Sequence, residues 1–244
     1  NNYDLTNQNP WLIPNSWRLL DKTDLTNFQN NSTNQLSWND PSLESFEVQF
    51  NDIKKSIKGG FLKKTVPVVS STARTDDQES LMRSLIIKGA QNKGPSFLYA
   101  FQNGSCGFVG LSPEVLIEID DKAIRTMALA GTSPESNLEN FLLDQKEEIE
   151  HQIVVDSLRR RLGKYGKLSE SERKTHNLGG IVHFLTDIHI KLNQKVSITE
   201  VLKQIHPTPA VGTVPRNSGN FSQLKSFREC SSTPEMFAAP FGVK

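Results

Sequence analysis

Residues 96–129 read SFLYAFQNGSCGFVGLSPEVLIEIDDKAIRTMAL, and the reading of this stretch decides the fold class. The runs 96–102 and 106–110 are rich in aromatic and apolar residues and flank Asn103-Gly104, a dipeptide suited to the tight turn of a hairpin. Val115–Ile119 and Ala123–Leu129 make a further pair about Asp120-Asp121-Lys122. Strands joined by turns this short run antiparallel.

Working outward, the flanking segments add helices but no regular strand–helix–strand rhythm. Phe46, Phe50, Ile53 and Ile57 recur at helical spacing until Gly59-Gly60 stops them, and residues 61–69 then read as a strand. A second helix is expected over 77–90, with Leu81, Leu85 and Ile86 inward. The longest helix is expected from Leu138 to Leu162, carrying Phe141, Leu142, Ile149, Ile153, Val154 and Leu158. Val182–Leu192 alternates like a strand. Ser197 followed by Glu200 reads as a capping box that opens a short helix ending at Ile205. The proline- and glycine-rich segment 206–219 must be a shaped loop; a last helix at 221–230 and an apolar strand starting at Met236 follow. Hairpins mixed with isolated helices predict an α+β fold with mainly antiparallel sheet.

The chain has 244 residues, 36% of them hydrophobic, enough for one large domain or two small ones. Residues 1–44 hold Trp11, Trp17, Trp38 and many asparagines and read as an N-terminal region of loops and short strands; residues 45–244 read as the main domain. Lysine plus arginine (28) and aspartate plus glutamate (27) nearly cancel to a formal charge of +1, so nothing calls for nucleic acid or an anionic membrane as partner. Cys106 and Cys230 lie in no metal-binding or disulfide-framework spacing, which points to a reducing, cytoplasmic setting. No apolar run approaches a membrane span and no signal peptide is visible, although a start at Asn1 rather than methionine fits a trimmed N-terminus.

Four segments carry candidate chemistry. Gly107–Glu114 ends a strand in Ser112-Pro113-Glu114; a solvated loop glutamate is the bland alternative. Leu129-Ala130-Gly131-Thr132 places a glycine where backbone must come close to something, next to a hydroxyl donor, although a strand ending in Gly-Thr is often only a turn. In Lys146–His151, Glu147 and Glu150 are three apart, so they share a helical face and can converge on one hard cation such as magnesium; the alternative is a solvated charged face. Ile205–Arg216 contains three prolines and a glycine, a rigid loop able to form a ligand wall.

In this order the four segments resemble the chorismate-binding enzymes, the family of isochorismate synthases, salicylate synthases, anthranilate synthase large subunits and aminodeoxychorismate synthases. Val182–Thr186 is similar to the family's His-Leu-Thr strand, and Ala238–Gly242 to its Pro-Val-Gly segment. The resemblance implies an α/β sandwich of large, mainly antiparallel sheets flanked by helices. Within the family, the loop His206–Gly212, with Ala130 before Gly131 and Ala210 where salicylate synthases tend to carry threonine, resembles the isochorismate branch. The implied activity is magnesium-dependent water addition at C2 of chorismate with loss of the C4 hydroxyl, an isomerisation feeding menaquinone or siderophore biosynthesis. Lys64 matches the general base; Lys63, one residue off, would point to the opposite strand face. Glu114 matches the general acid, Glu150 a magnesium ligand and Glu147 a second one. Ala130, Gly131, Thr132, His183, Ala210, Val211 and Gly212 would line the substrate. Water as nucleophile implies no amidotransferase subunit; a monomer is expected.

The family pattern normally continues past the Pro-Val-Gly segment into an arginine strand, a Gly-Ala-Gly loop and a glutamate-rich helix. The expectation is therefore a catalytic domain incomplete at its C-terminus, with weak turnover by the chain alone. Phe237, Pro234 and Gly212-Thr213 also depart from the pattern. The alternatives are a non-catalytic or degenerate module of the family, or a salicylate- or anthranilate-synthase type of chorismate enzyme.

Overall fold

The computed structural model describes residues 36–234 and 236–243, together with Asn15, Ser16, Arg18 and Asp24. Trp11 and Trp17 fall outside the described residues. The first elements in chain order are β1 (Ser37–Asn39), α1 (Leu43–Lys58), β2 (Lys64–Thr65), β3 (Thr72–Arg74), α2 (Gln78–Gln91), β4 (Phe97–Asn103) and β5 (Cys106–Ser112). There follow β6 (Glu118–Ile119), β7 (Ala123–Pro134), α3 (Leu138–Leu143), α4 (Gln145–Leu162), β8 (Gly166–Glu170) and β9 (Lys174–Asn177). The last are β10 (Ile181–Leu192), α5 (Ile198–Ile205), β11 (Thr213–Val214) and α6 (Ser218–Cys230). Every strand pair among the described residues is antiparallel, and the class is α+β. No helix among the described residues is long and apolar enough to cross a membrane.

Among the described residues the chain folds as two compact units, one containing residues 41–70 and 115–243 and the other residues 36–40 and 71–114. In the second unit β4 and β5 form the expected hairpin, its two-residue loop one position later than expected, at Gly104-Ser105, because Asn103 still pairs with Cys106. Gly104 opens that loop at φ +58°, a conformation that favours glycine. Helix α2 begins on Asp77, whose carboxylate accepts from Ser80 N–H. Its buried face is Ser84, Ile87, Gly89 and Ala90; Leu85, expected inward, is exposed. At Gly89 any side chain would collide with Leu98, so the helix lies close on the hairpin.

In the first unit the main sheet runs β6-β7-β10-β8, with β9 beside the first part of β10. Asp120 closes the β6–β7 turn by accepting from Lys122 and Ala123 N–H. Even-numbered residues of β10, from Val182 to Ile190, face inward beside Ile124, Ala128 and Ala130 of β7. Helix α4 lays Val154, Val155, Leu158 and Leu162 on this face, and α5 adds Val201 and Ile205. Fully burying such aliphatic side chains contributes roughly 1.5–3 kcal/mol each.

The helix expected over Leu138–Leu162 is broken at Asp144. That residue is extended (φ −77°, ψ 104°), and its carboxylate caps Lys146 and Glu147 N–H, starting α4 afresh. Leu142 and Ile149 are exposed, Ile149 lying off the buried stripe of α4, while Phe141 is buried and stacks on Phe184 at 4.0 Å. The expected strand 61–69 shrinks to β2, since its partner β11 spans only Thr213–Val214 and Pro67 has no N–H to pair. The Ser197–Glu200 capping box does not form: the Ser197 side chain makes no cap bond, and Glu200 instead accepts from Tyr165 Oη at 3.1 Å. Residues 236–238 turn rather than begin a strand. Strands β8 and β9 carry no clear sequence signal, lying in the charged run 166–177.

A bulge in β7 sets which side chains reach the polar face of the sheet. His183 pairs with Thr132 and Phe184 with Ala130, leaving Gly131 as the extra residue at φ +75°. The extra residue reverses the alternation, so Thr132 shares a face with His183 rather than with Phe184. A Cβ at position 131 would lie 2.9 Å from the Glu147 carbonyl oxygen and 3.1 Å from the Phe184 ring. Gly131→Ala is therefore expected to destabilise by about 1–3 kcal/mol in denaturant unfolding. By contrast, Gly163→Ala, at an αR position with open space about it, should be neutral or stabilising by a few tenths of a kcal/mol up to about 1 kcal/mol.

Candidate active site

The candidate site forms where β2, the bulge of β7, the first turns of α4 and the loop after α5 meet. Pairing with Val214 and Thr213 holds β2: Lys63 N–H donates to the Val214 carbonyl at 2.7 Å, and Thr213 Oγ1 donates to the Lys64 carbonyl at 3.3 Å. Alternation then separates the two lysines, with Lys63 exposed and Lys64 buried at 8% exposure. Lys64 Nζ donates to the Pro209 carbonyl at 2.6 Å and lies 3.3 Å from Glu150 Oε1.

The loop that supplies Pro209 is held by cations. Arg216 donates to the carbonyls of Gln204, Lys203 and His206, satisfying the C-terminal end of α5. Arg228 donates to the Val211 carbonyl at 2.5 Å. Gly212 is buried so closely on the Thr208 carbonyl that a Cβ would sit 2.7 Å away. Ala210 packs against the main core, and Ala130 is buried within it.

The carboxylates of Glu147 and Glu150 are each divided between two donors. Glu147 Oε2 accepts from Thr132 N–H at 2.8 Å, and its Oε1 lies 2.5 Å from Lys146 Nζ. Glu150 Oε1 faces Lys64, and its Oε2 accepts from Lys146 at 3.0 Å. The Oε1 of one and the Oε2 of the other thus meet at one cationic nitrogen. Thr132 Oγ1 and His183 Nδ1 are 2.9 Å apart, and the same nitrogen is 3.1 Å from the Gly131 carbonyl. Behind them the fully buried His151 sets Nε2 against Thr186 Oγ1 at 2.9 Å, linking α4 to β10.

Burial pushes the Lys64 ammonium below its ordinary pKa, and the nearby Lys146 adds to this, while Glu150 and Glu147 oppose it. Burial alone would push the Glu150 carboxyl up, but Lys64 and Lys146 together hold it below the usual carboxylate value. Burial also lowers the pKa of His183 and His151.

The structure thus brings together Lys64, Gly131, Thr132, Glu147, Glu150 and His183, with the Pro209 carbonyl on Lys64. Glu114 belongs to the other compact unit, where it is half-buried after β5 with its N–H donating to Ser112 Oγ at 3.2 Å. Lys146 is the participant that sequence reasoning missed; its signal was the four-residue spacing to Glu150. As a magnesium site, Glu147 and Glu150 offer two convergent carboxylates, and among the described residues no third His, Cys, Asp or Glu completes a cluster. Two hard oxygen ligands suit magnesium, which keeps waters and takes further oxygens from substrate.

The family model of the chorismate binding enzymes matches residues 5–243. The chain belongs to this family. Among curated relatives, this chorismate-binding chain is 30% identical over 185 residues to the salicylate biosynthesis isochorismate synthase of Pseudomonas aeruginosa, covering 71% of the chain and 38% of that protein. It is 27% identical over 147 residues to anthranilate synthase component 1 of Methanothermobacter thermautotrophicus, covering 55% of the chain and 32% of that protein. The chain thus spans only about a third of the length of these relatives. The fold is similar to that of Escherichia coli MenF, a menaquinone-specific isochorismate synthase, at a TM-score of 0.65 and 22% identity, covering 81% of this chain and 47% of that one.

The opposing influences on Lys64 can be separated. Glu150→Gln removes the strongest groups that raise its pKa and leaves burial acting, so the Lys64 titration midpoint is expected to fall. An NMR titration of the lysine Cε resonances measures it, and an unchanged or raised midpoint would contradict the electrostatic account.

Proposed function

We propose that the protein converts chorismate to isochorismate, with water entering at C2 and the C4 hydroxyl departing. The observation that carries this reading is the buried Lys64 ammonium, desolvated yet facing Glu150 beside a convergent carboxylate pair. A lysine serves as base only when neutral, and desolvation moves it toward that form. Lys64 takes a proton from the attacking water, the ring double bonds shift, and a general acid gives a proton to the departing C4 oxygen. One water enters and one leaves, so the net change is an isomerisation.

Glu147 and Glu150 would hold magnesium, which when bound supplies compact positive charge against the substrate's C1 carboxylate. Gly131 and Thr132 line the ring, with Thr132 oriented by His183 and Ala130 behind them. The Ala210–Gly212 backbone closes the enolpyruvyl side. Water as nucleophile requires no amidotransferase, and a cytoplasmic monomer is part of this proposal. The anthranilate synthase relative keeps an aminating chemistry open as the second reading.

The test is incubation of the full-length protein carrying this chain with chorismate and magnesium, products being resolved by chromatography. Isochorismate is expected; no conversion by folded protein would sink the proposal, and salicylate with pyruvate would move it to the lyase branch. Anthranilate formed only with ammonia present would support the second reading. Lys64→Ala should lower kcat/KM by about 10²–10⁴-fold, and full activity in that variant would refute the assigned base. With neutral Lys64 as the active form, activity should rise with pH through its pKa. That rise should lie below the ordinary lysine range because burial, the largest influence, lowers the pKa.

A further inference from the structure

The four carboxylate oxygens of Glu147 and Glu150 are not held alike. The inner pair faces donors that cannot easily leave: Thr132 N–H is fixed in the β7 bulge, and Lys64 is buried and tied to the Pro209 carbonyl. The outer pair, Glu147 Oε1 and Glu150 Oε2, shares Lys146, whose side chain is 70% exposed on the first turn of α4. Lys146 is the exposed member of both pairs, its partners Glu147 and Glu150 being 13% and 28% exposed, and an exposed lysine on a flexible stem can swing into water.

We infer that Lys146 is a tethered, displaceable cation: it holds Glu147 and Glu150 convergent while no divalent ion is bound, and it yields the two outer oxygens when one binds. The inference rests on reading that pair as the magnesium site. Displacement leaves the bonds from Thr132 and Lys64 intact, so the exchange needs no rearrangement of β7 or β2. It follows that Lys146 lowers the apparent affinity for magnesium, both by competing for the oxygens and by leaving a like charge nearby. Its removal exposes two carboxylates to mutual repulsion that magnesium relieves.

Isothermal titration of magnesium chloride into the full-length protein tests this, with wild type, Lys146→Met, Lys146→Arg, Glu150→Gln and the distant Lys174→Met compared. Lys174 pairs with Asp187 on an exposed strand and controls for the loss of one positive charge. Lys146→Met should bind magnesium about two- to fivefold more tightly than wild type. Lys146→Arg and Lys174→Met should stay near wild type, and Glu150→Gln should lose binding. Thermal melts with EDTA and with magnesium give a second readout: the magnesium-induced rise in Tm should be larger in Lys146→Met than in wild type. Unchanged or weaker binding by a folded Lys146→Met protein, when wild type binds, overturns the tethered-cation inference and leaves the magnesium site standing. Absence of binding in wild type, or full binding by Glu150→Gln, overturns the site itself and the inference with it.

Discussion

An ammonium group taken almost wholly out of water is tolerable only where partners meet it, and at Lys64 the partners come from distant parts of the chain. The Pro209 carbonyl comes from the loop after α5, the Glu150 carboxylate from the second turn of α4, and the strand that aims the lysine from a two-residue pairing with Thr213–Val214. Each of these segments has its own anchor. Arg216 and Arg228 hold the loop by its carbonyls, Asp144 starts α4 at the right residue, and the apolar row of α4 fixes the helix on the sheet. Loss of any one of them would leave the lysine's charge without part of its compensation.

The same constraint explains the bulge at Gly131. The helix that delivers Glu147 and Glu150 must approach β7 closely enough for Glu147 to reach the Thr132 amide, and at that separation no side chain fits at position 131. Inserting a residue also reverses the strand's alternation and turns Thr132 to the face of His183. Close packing and polar presentation are thus met by one glycine. The scaffold that holds Lys64 thus also holds the carboxylates.

Much of this is legible in the residues. The hairpins at 97–112 and 118–134 follow from turn chemistry and apolar runs, and the glycine of Ala130-Gly131-Thr132 marks a point of close backbone approach without naming the neighbour. Helical spacing puts Glu147 and Glu150 on one face, and strand alternation puts Lys63 and Lys64 on opposite ones. The departures have different causes. Leu85, Leu142 and Ile149 are apolar residues left at the surface, the Leu138–Leu162 helix breaks on a cap that periodicity overlooks, and β8 and β9 carry no apolar signal because β10 supplies their pairing.

By itself the sequence determined the α+β class, the two hairpins and most of the helices, the family and the kinds of residue available for chemistry, because these depend on local periodicity, turn residues and motif order. Only the tertiary structure decided that Lys64 would be desolvated, that a proline carbonyl would meet it, and that Lys146 would close the outer oxygens of the carboxylate pair. Burial and charge partnership are made by segments up to 145 residues apart, and no local pattern encodes which of them will meet.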